Sequence, residues 1–116
     1  MEISRYDSNG RFCQAVVYNG LLFTSGLVDI EQDSFEAQTR GVFSKIESLL
    51  EAYGSGKDRI ISASAYLTDA SQAAEFNALW LEWIVPEHEP VRTTIVTKMV
   101  HPDVLFEMSV IAALNP

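Results

Sequence analysis

The sequence predicts an α+β fold in which one mixed sheet carries two helices on a single face. Two observations lead to it. Apolar residues recur every second position in several short segments and every third or fourth position in two longer ones. These segments follow one another in the order β-β-α-β-α-β-β, without an internal repeat or a low-complexity tract. Such an order is most simply satisfied by two layers, a sheet and a helical layer that covers one side of it.

The chain opens with turn formers and a hairpin. Residues 1–10 end in Asp-Ser-Asn-Gly, so they form either an edge strand or a loosely held terminus. Residues 12–18 and 21–25 read as paired strands, because the Asn19-Gly20 dipeptide between them is typical of a type I′ turn. Gly26 then marks either a close approach of another group to the main chain or simply the end of the strand.

The first helix is predicted from Asp33 onward. Asp33 and Glu36 have the spacing of a capping box, and Gly54 stands where a left-handed residue ends a helix. The predicted buried stripe consists of Phe35, Thr39, Val42, Phe43, Ile46, Leu49, Leu50 and Tyr53. The following Gly-Ser-Gly run is not a phosphate loop, because it follows a helix and precedes a strand.

A strand and a second helix come next. Residues 59–68 alternate between an apolar side and a mixed side. The apolar side is predicted to be Ile61, Ala63, Ala65 and Leu67. Asp69 or Ser71 caps the second helix, which ends before Pro86 and Pro90. Its buried stripe is predicted to be Phe76, Leu79, Trp80, Trp83 and Ile84.

Two β segments close the chain, and each carries one charged residue. Residues 90–97 contain Arg92, and residues 104–112 contain Glu107. The connection between them is too short for a helical crossover. We therefore expect the two strands to pair antiparallel, which would bring Glu107 near the strand that carries Arg92.

Composition limits the possible functions. With 116 residues and 12.9 kDa, residues 1–116 are expected to form one domain. The formal charge of −8 disfavours a nucleic-acid partner, and no apolar run is long enough to span a membrane. The N-terminal residues lack the pattern of a secretory signal, which predicts a cytoplasmic protein. Cys13 is the one cysteine and is expected to be a buried or interface thiol, and no metal site is expected around His88 and His101.

A two-layer fold leaves the second face of its sheet bare. Phe12, Val16, Tyr66 and Ile95 cannot all face the helices together with the last strand. Some of these apolar side chains must be exposed or covered by another subunit. The pattern therefore predicts a homo-oligomer.

Short motifs along nearly the whole chain carry a family resemblance. They are Gln-Ala-Val-Val at 14–17, Leu-Phe-Thr-Ser-Gly at 22–26, Ala-Gln-Thr-Arg at 37–40, Leu-Thr-Asp at 67–69, Phe-Asn-Ala at 76–78, Pro-Val-Arg-Thr-Thr at 90–94 and Phe-Glu-Met at 106–108. In this order and spacing the chain resembles the YjgF/RidA (reactive intermediate deaminase) family. The resemblance implies a chorismate-mutase-like fold of the bacillus type, assembled as a homotrimer with ligand clefts between subunits. It also implies cofactor-free hydrolysis of 2-imino or enamine acids to 2-oxo acids and ammonia.

The same resemblance assigns candidate site residues. Arg92 matches the arginine that grips the substrate carboxylate, a role suited to the planar donor fork of a guanidinium. Glu107 matches a glutamate near the cleft, where it either handles protons of the attacking water and leaving amine or pairs with an interface cation. Ser25 and Gly26 match positions that shape the cleft, and main-chain groups near Gly26 and Thr94 could hold the attacking water.

Two further positions complete the assignment. Asn77 matches a cleft position but is equally consistent with a helix surface. Phe12 stands where the best-characterised deaminases carry a tyrosine, so a substrate-binding hydroxyl is absent there.

Other functions stay open on the same scaffold. The arginine pocket would also suit a non-catalytic protein that binds a small carboxylate. A chorismate mutase would want several cations around a dicarboxylate, and only Arg92 lies in a recognisable site.

Overall fold

The computed structural model describes residues 1–116 and contains six strands and two α-helices. Their bounds are β1 Ser4–Ser8, β2 Cys13–Tyr18, β3 Leu21–Thr24, α1 Phe35–Ala52, β4 Ile60–Leu67, α2 Ala73–Trp83, β5 Val91–Val96 and β6 Phe106–Ala113. One sheet runs in the order β1-β2-β3-β6-β4-β5. All neighbours pair antiparallel except β4 and β5, which are parallel. The predicted mixed sheet is confirmed, and β1 at its edge confirms the first of the two alternatives for residues 1–10.

The predicted pairing of the last two strands is wrong. Strand β4 lies between β5 and β6, and it hydrogen-bonds to both. The physical reason is the α2 crossover, because two parallel strands such as β4 and β5 need a connection of this length. The crossover delivers β5 to the outer edge of the sheet, and residues 97–105 then carry the chain past the end of β4 to begin β6.

The N-cap of helix α1 is Ser34, one residue later than the predicted cap Asp33. Ser34 has an extended backbone, and its Oγ accepts a hydrogen bond from the Ala37 amide at 3.1 Å. Asp33 is therefore not the cap, and Glu36 instead pairs with Arg40 at 3.1 Å. The predicted end is confirmed, since Gly54 has φ +86 and the Ser55 amide reaches back to the Leu50 carbonyl.

Helix α2 follows a short 3-10 turn. Asp69 caps this turn through a reciprocal capping box with Gln72. The α-helix itself begins after Gln72, whose side chain makes no capping hydrogen bond, so neither Asp69 nor Ser71 caps α2 directly. Within the predicted stripe Trp83 is only partly buried, and its indole Nε1 donates to Glu47 on α1.

The hydrophobic core lies between the helices and one face of the sheet. Aromatic rings from both helices and from β6 meet there, and these rings are Phe35, Phe43, Phe76, Trp80 and Phe106. Strand β4 departs from prediction at one point, because its pairing with β6 is irregular between Ile60 and Ser62. Ile60 is buried in the core as a result, while Ile61 is 47% exposed.

The other face of the sheet is open, as predicted. Phe12 and Ile95 are about half exposed, and Tyr18 and Phe23 add further apolar surface. Every residue of the edge strand β5 is exposed. Neither α-helix combines the length and the apolar composition that a membrane-spanning helix needs.

Candidate functional site

Arg92 and Glu107 lie on opposite faces of the sheet. Arg92 is paired in register with the buried Ala63, so it lies on the helix-covered face. Glu107 alternates with buried residues of β6 and is paired with Tyr66 on the open face. The expected proximity of the two charges within one chain is therefore wrong, because β4 separates their strands.

Arg92 is held against α2 by three contacts. Its Nη2 donates to the Asn77 Oδ1 at 2.7 Å. Its Cζ lies 4.8 Å from the centre of the Phe76 ring and 5.1 Å from that of Trp80. Cation–π contacts of this kind orient a guanidinium without neutralising it. Partial burial lowers the pKa of Arg92 from its ordinary value. We call Arg92, Asn77, Phe76 and Trp80 the arginine half-site.

No carboxylate of the chain pairs with Arg92. The cations of the four salt bridges in the structure are Arg40, which forms two, and Lys45 and Lys57, which form one each. The remaining donors of the guanidinium are therefore available to a ligand. Asn77 is exposed on the surface of α2, as one of its two predicted positions requires, and its side chain contacts Arg92. Thr94 lies two residues farther along β5, on the same face as Arg92 and also exposed.

Glu107 lies against Gly26. A side chain at position 26 would overlap the Glu107 carboxylate, because that carboxylate occupies the space of the missing Cβ. The main chain is fixed there by two hydrogen bonds between Leu27 and Met108, the residue that follows Glu107. Of the two predicted roles of Gly26, the close approach is therefore the correct one.

The Glu107 carboxylate has no partner in the chain. It takes part in no hydrogen bond and no salt bridge with another side chain. Partial burial raises the pKa of the Glu107 carboxyl above its ordinary value, because desolvation disfavours the charged form. A carboxyl of this kind can exchange protons at a pH closer to neutrality than an ordinary glutamate can.

Ser25 follows β3, and Phe12 precedes β2. The Ser25 amide donates to the Gln14 carbonyl, and its Oγ donates to the Gln14 Oε1 at 3.2 Å. Phe12 is 48% exposed and closes a turn through its bonds to Asn9. The structure therefore brings Gly26 and Glu107 into contact, whereas Phe12 is an exposed ring outside the lining of their cavity.

A cavity of about 280 Å³ extends from Glu107, and sequence reasoning missed most of it. Its walls are formed by Gly26, Tyr66, Thr97, Lys98, Met99, Val100, Glu107 and Ser109. We call Glu107, Gly26, Tyr66 and Ser109 the glutamate half-site. The pairing of Tyr66 with Glu107 across two strands was the missing signal, and it becomes visible only once the strand register is known.

A larger cavity of about 480 Å³ lies elsewhere, between α1 and the N-terminal strands. It includes Asp7, Lys45 and Tyr53 but none of the predicted site residues. Its polar groups are largely engaged, since Tyr53 donates to Asp7 and Lys45 donates to the Val28 carbonyl. We therefore assign the candidate site to the two half-sites. No group of three or more histidine, cysteine, aspartate or glutamate side chains is arranged to hold a metal ion.

Comparison with known proteins gives a consistent result. A family model described as endoribonuclease L-PSP matches residues 2–114. The RutC family protein YoaB of Escherichia coli K12 is 33% identical over 115 residues, covering 98% of this chain and 100% of the relative. A YjgF family structure from Neisseria meningitidis has a TM-score of 0.96 at 29% identity, covering 100% of this chain and 98% of that one. A Rid family protein from Yersinia pestis has a TM-score of 0.90 at 25% identity, covering 97% and 100%.

Proposed function

The chain belongs to the endoribonuclease L-PSP family, which includes the YjgF and RutC proteins, and from this we propose that it hydrolyses reactive 2-imino acids to 2-oxo acids and ammonia. One observation carries the proposal. The chain holds an arginine without a carboxylate partner and a carboxylate without any partner, each in a place open to a ligand. Charged groups left unpaired in this way are candidates for contacts to substrate.

We propose that the two half-sites face each other across the interface of a homotrimer. Within one chain they lie on opposite faces of the sheet, so one small ligand would not reach both. The exposed edge strand β5 and the apolar open face supply surface for a second subunit. Light scattering at low micromolar concentration tests the assembly, and a monodisperse monomer would reject it.

In this cleft Arg92 binds the substrate carboxylate through its planar donor fork. Glu107 takes a proton from water as the water oxygen attacks C2, and the C=N π electrons move to nitrogen. Glu107 then passes that proton to the nitrogen, which gives a carbinolamine. Transfer of the hydroxyl proton to the same nitrogen breaks the C–N bond, releases ammonia and leaves the C=O of the 2-oxo acid. Both protons of the water end on the ammonia.

The family description also names an endoribonuclease, and the charge of this chain favours the smaller substrate. Its formal charge is −8 and its pI about 4.5, which opposes the binding of a phosphate backbone. A second candidate keeps the same pocket without turnover, because the arginine half-site alone suffices to bind a small carboxylate.

An assay with imines generated in situ tests the proposal. An amino-acid oxidase with catalase converts alanine to 2-iminopropionate, and semicarbazide traps the imine that has not been hydrolysed. We expect the protein to lower the initial rate of semicarbazone formation. In a parallel assay without semicarbazide, which itself displaces ammonia from the imine, we expect the protein to speed the release of ammonia. No effect on the imine, together with binding of pyruvate by calorimetry, would favour the non-catalytic candidate. Cleavage of a labelled RNA instead would overturn both.

A further inference from the structure

The cavity beside Glu107 has a cationic rim. Its floor is formed by β4 and β6 through Tyr66 and Ser109, and its rim is the segment that joins β5 to β6. Lys98 lies in this rim, next to the partly buried Met99 and the exposed Val100 of the same wall. The cavity is therefore larger than the space that Glu107 and a water molecule need.

Three polar groups of this cavity, the Lys98 ammonium and the Tyr66 and Ser109 hydroxyls, have no partner within the chain. The Lys98 ammonium makes no salt bridge, whereas Lys45 lies 3.5 Å from Asp29 and Lys57 lies 3.9 Å from Glu47. Those two ammonium groups also donate to main-chain carbonyls, at 2.9 Å for Lys45 and 2.8 Å for Lys57. Lys98 is thus the one lysine of the chain whose charge is left for something else.

The rim that carries Lys98 is anchored at both ends. The Thr97 amide donates to the Leu67 carbonyl of β4 at 2.9 Å. At the other end the buried Gln38 side chain donates to the Asp103 carbonyl at 2.9 Å and accepts from the Leu105 amide at 2.8 Å. Because the main chain on both sides is fixed, the Lys98 side chain starts from a defined position beside the cavity.

We propose that Lys98, with the Tyr66 and Ser109 hydroxyls, forms a subsite for a substrate side chain that carries a carboxylate. The preferred substrates would then be dicarboxylic 2-imino acids, such as the imines of aspartate and glutamate. This inference rests on the proposed function, in which Arg92 of a neighbouring subunit holds the carboxylate next to the imine carbon. Lys98 provides the second cation, and the hydroxyls donate hydrogen bonds to the second carboxylate.

Electrostatics explains why a dicarboxylic substrate would need a second cation in the site. A dianion approaches a chain whose formal charge is −8, so it is repelled unless cations are placed where its carboxylates bind. A methyl side chain, as in 2-iminopropionate, gains nothing from an ammonium group. The presence of Lys98 therefore separates two substrate classes by charge and not by size.

The test compares two imines in the trapping assay. Oxidases acting on alanine and on aspartate generate 2-iminopropionate and 2-iminosuccinate, and kcat/KM is measured for each. We expect the wild-type protein to favour 2-iminosuccinate, and Lys98→Met to lower the ratio of the two kcat/KM values by about tenfold, the size expected for one charged hydrogen bond. Lys98→Arg should restore most of the ratio. Arg5→Met removes one charge at the opposite edge of the sheet and should leave the ratio as it is.

The outcomes separate this inference from the proposed function. Hydrolysis of neither imine would reject the function itself. Hydrolysis of both with a ratio that Lys98→Met leaves unchanged would overturn the subsite alone. A preference for the imine of asparagine that survives Lys98→Met but not Tyr66→Phe would also overturn it, because the hydroxyls would then select a neutral side chain.

Discussion

The two half-sites differ in how much of their structure is complete within one chain. In the arginine half-site the charged group is already oriented, by a hydrogen bond of 2.7 Å and by two aromatic rings. In the glutamate half-site the carboxylate rests against a glycine and faces a cavity without any polar partner. The arginine half-site therefore holds a fixed shape, whereas the glutamate half-site leaves an open space. Under the proposed function, the group that recognises the substrate is preorganised and the group that moves protons has no competing partner.

The largest effect is expected from Arg92→Ala, which removes the charged group of the arginine half-site. Imine hydrolysis should fall by about 10³-fold in kcat/KM, since two charge-assisted hydrogen bonds to the substrate are lost. The melting temperature should fall by only a few degrees, because Arg92→Ala removes one hydrogen bond to the exposed Asn77 and two cation–π contacts but no salt bridge. Arg92→Lys should recover only part of the activity, because an ammonium group lacks the planar fork.

Activity and calorimetry on the same samples check this result. Arg40→Ala serves as the matched control, because Arg40 pairs with Glu36 and Glu82 at the surface, away from both half-sites. Full activity in Arg92→Ala would end the deaminase proposal. An early melting transition would instead show that Arg92 is mainly structural.

Glu107→Gln tests the glutamate half-site, and we expect it to lower kcat by about 10²-fold. In the wild type, activity should fall as the pH drops through the raised pKa of Glu107, above the value of about 4.3 for an ordinary glutamate. The variant should lack this acidic limb. A pH–rate profile of both proteins measures it, with the exposed Glu51→Gln as control.

The same raised pKa fixes the sign of the stability change. The folded state binds the Glu107 proton more tightly than the unfolded state, so the group stabilises the fold below the unfolded pKa. This stabilisation is lost as the pH rises through the folded pKa. The melting temperature of Glu107→Gln relative to wild type should therefore rise with pH over that interval, and the opposite trend would contradict the assigned burial.

A smaller activity loss is expected from Gly26→Ala, about tenfold, because the new methyl group displaces a carboxylate at the end of a flexible side chain. Gly41→Ala is the matched control. Gly41 leaves room for the carboxylate of Asp29 in the same way, but Asp29 is buried, only 7% exposed. We expect Gly41→Ala to cost stability, on the order of 2 kcal/mol, with little effect on turnover.

Kinetics and thermal melting of the two glycine variants check this contrast. Gly26→Ala should lower turnover more than the melting temperature, and Gly41→Ala should lower the melting temperature more than turnover. A Gly26→Ala protein that melts early but retains its turnover would show that Glu107 is held for structural reasons.

Local patterns predicted the helices and the hairpin correctly, because their signals lie within a few residues of one another. Helix α1 ends at Gly54, and the hairpin turns at Asn19-Gly20. These residues have positive φ, which glycine and asparagine adopt more readily than other residues, so the residue type alone predicts both features. The Asp33 cap was wrong because Ser34 beside it is an equally good cap. Only the chain geometry selects between them.

The site was predicted less completely, because it depends on contacts between distant strands. Arg92 and Glu107 were identified from motifs around them, but their separation by β4 follows from a strand order that no local pattern encodes. Lys98 and Tyr66 were missed for the same reason. Their approach to Glu107 requires the β4–β6 register and the path of residues 97–105.

The strand that separates Arg92 from Glu107 has a genetic consequence. If each cleft takes its arginine from one subunit and its glutamate from the next, two inactive alleles can complement each other. In trimers formed by unfolding and refolding equal amounts of Arg92→Ala and Glu107→Gln chains together, about a quarter of the clefts would receive both intact residues. The mixture should therefore regain about a quarter of the wild-type turnover. Two variants of a cleft contained within one chain would stay inactive under every mixing ratio.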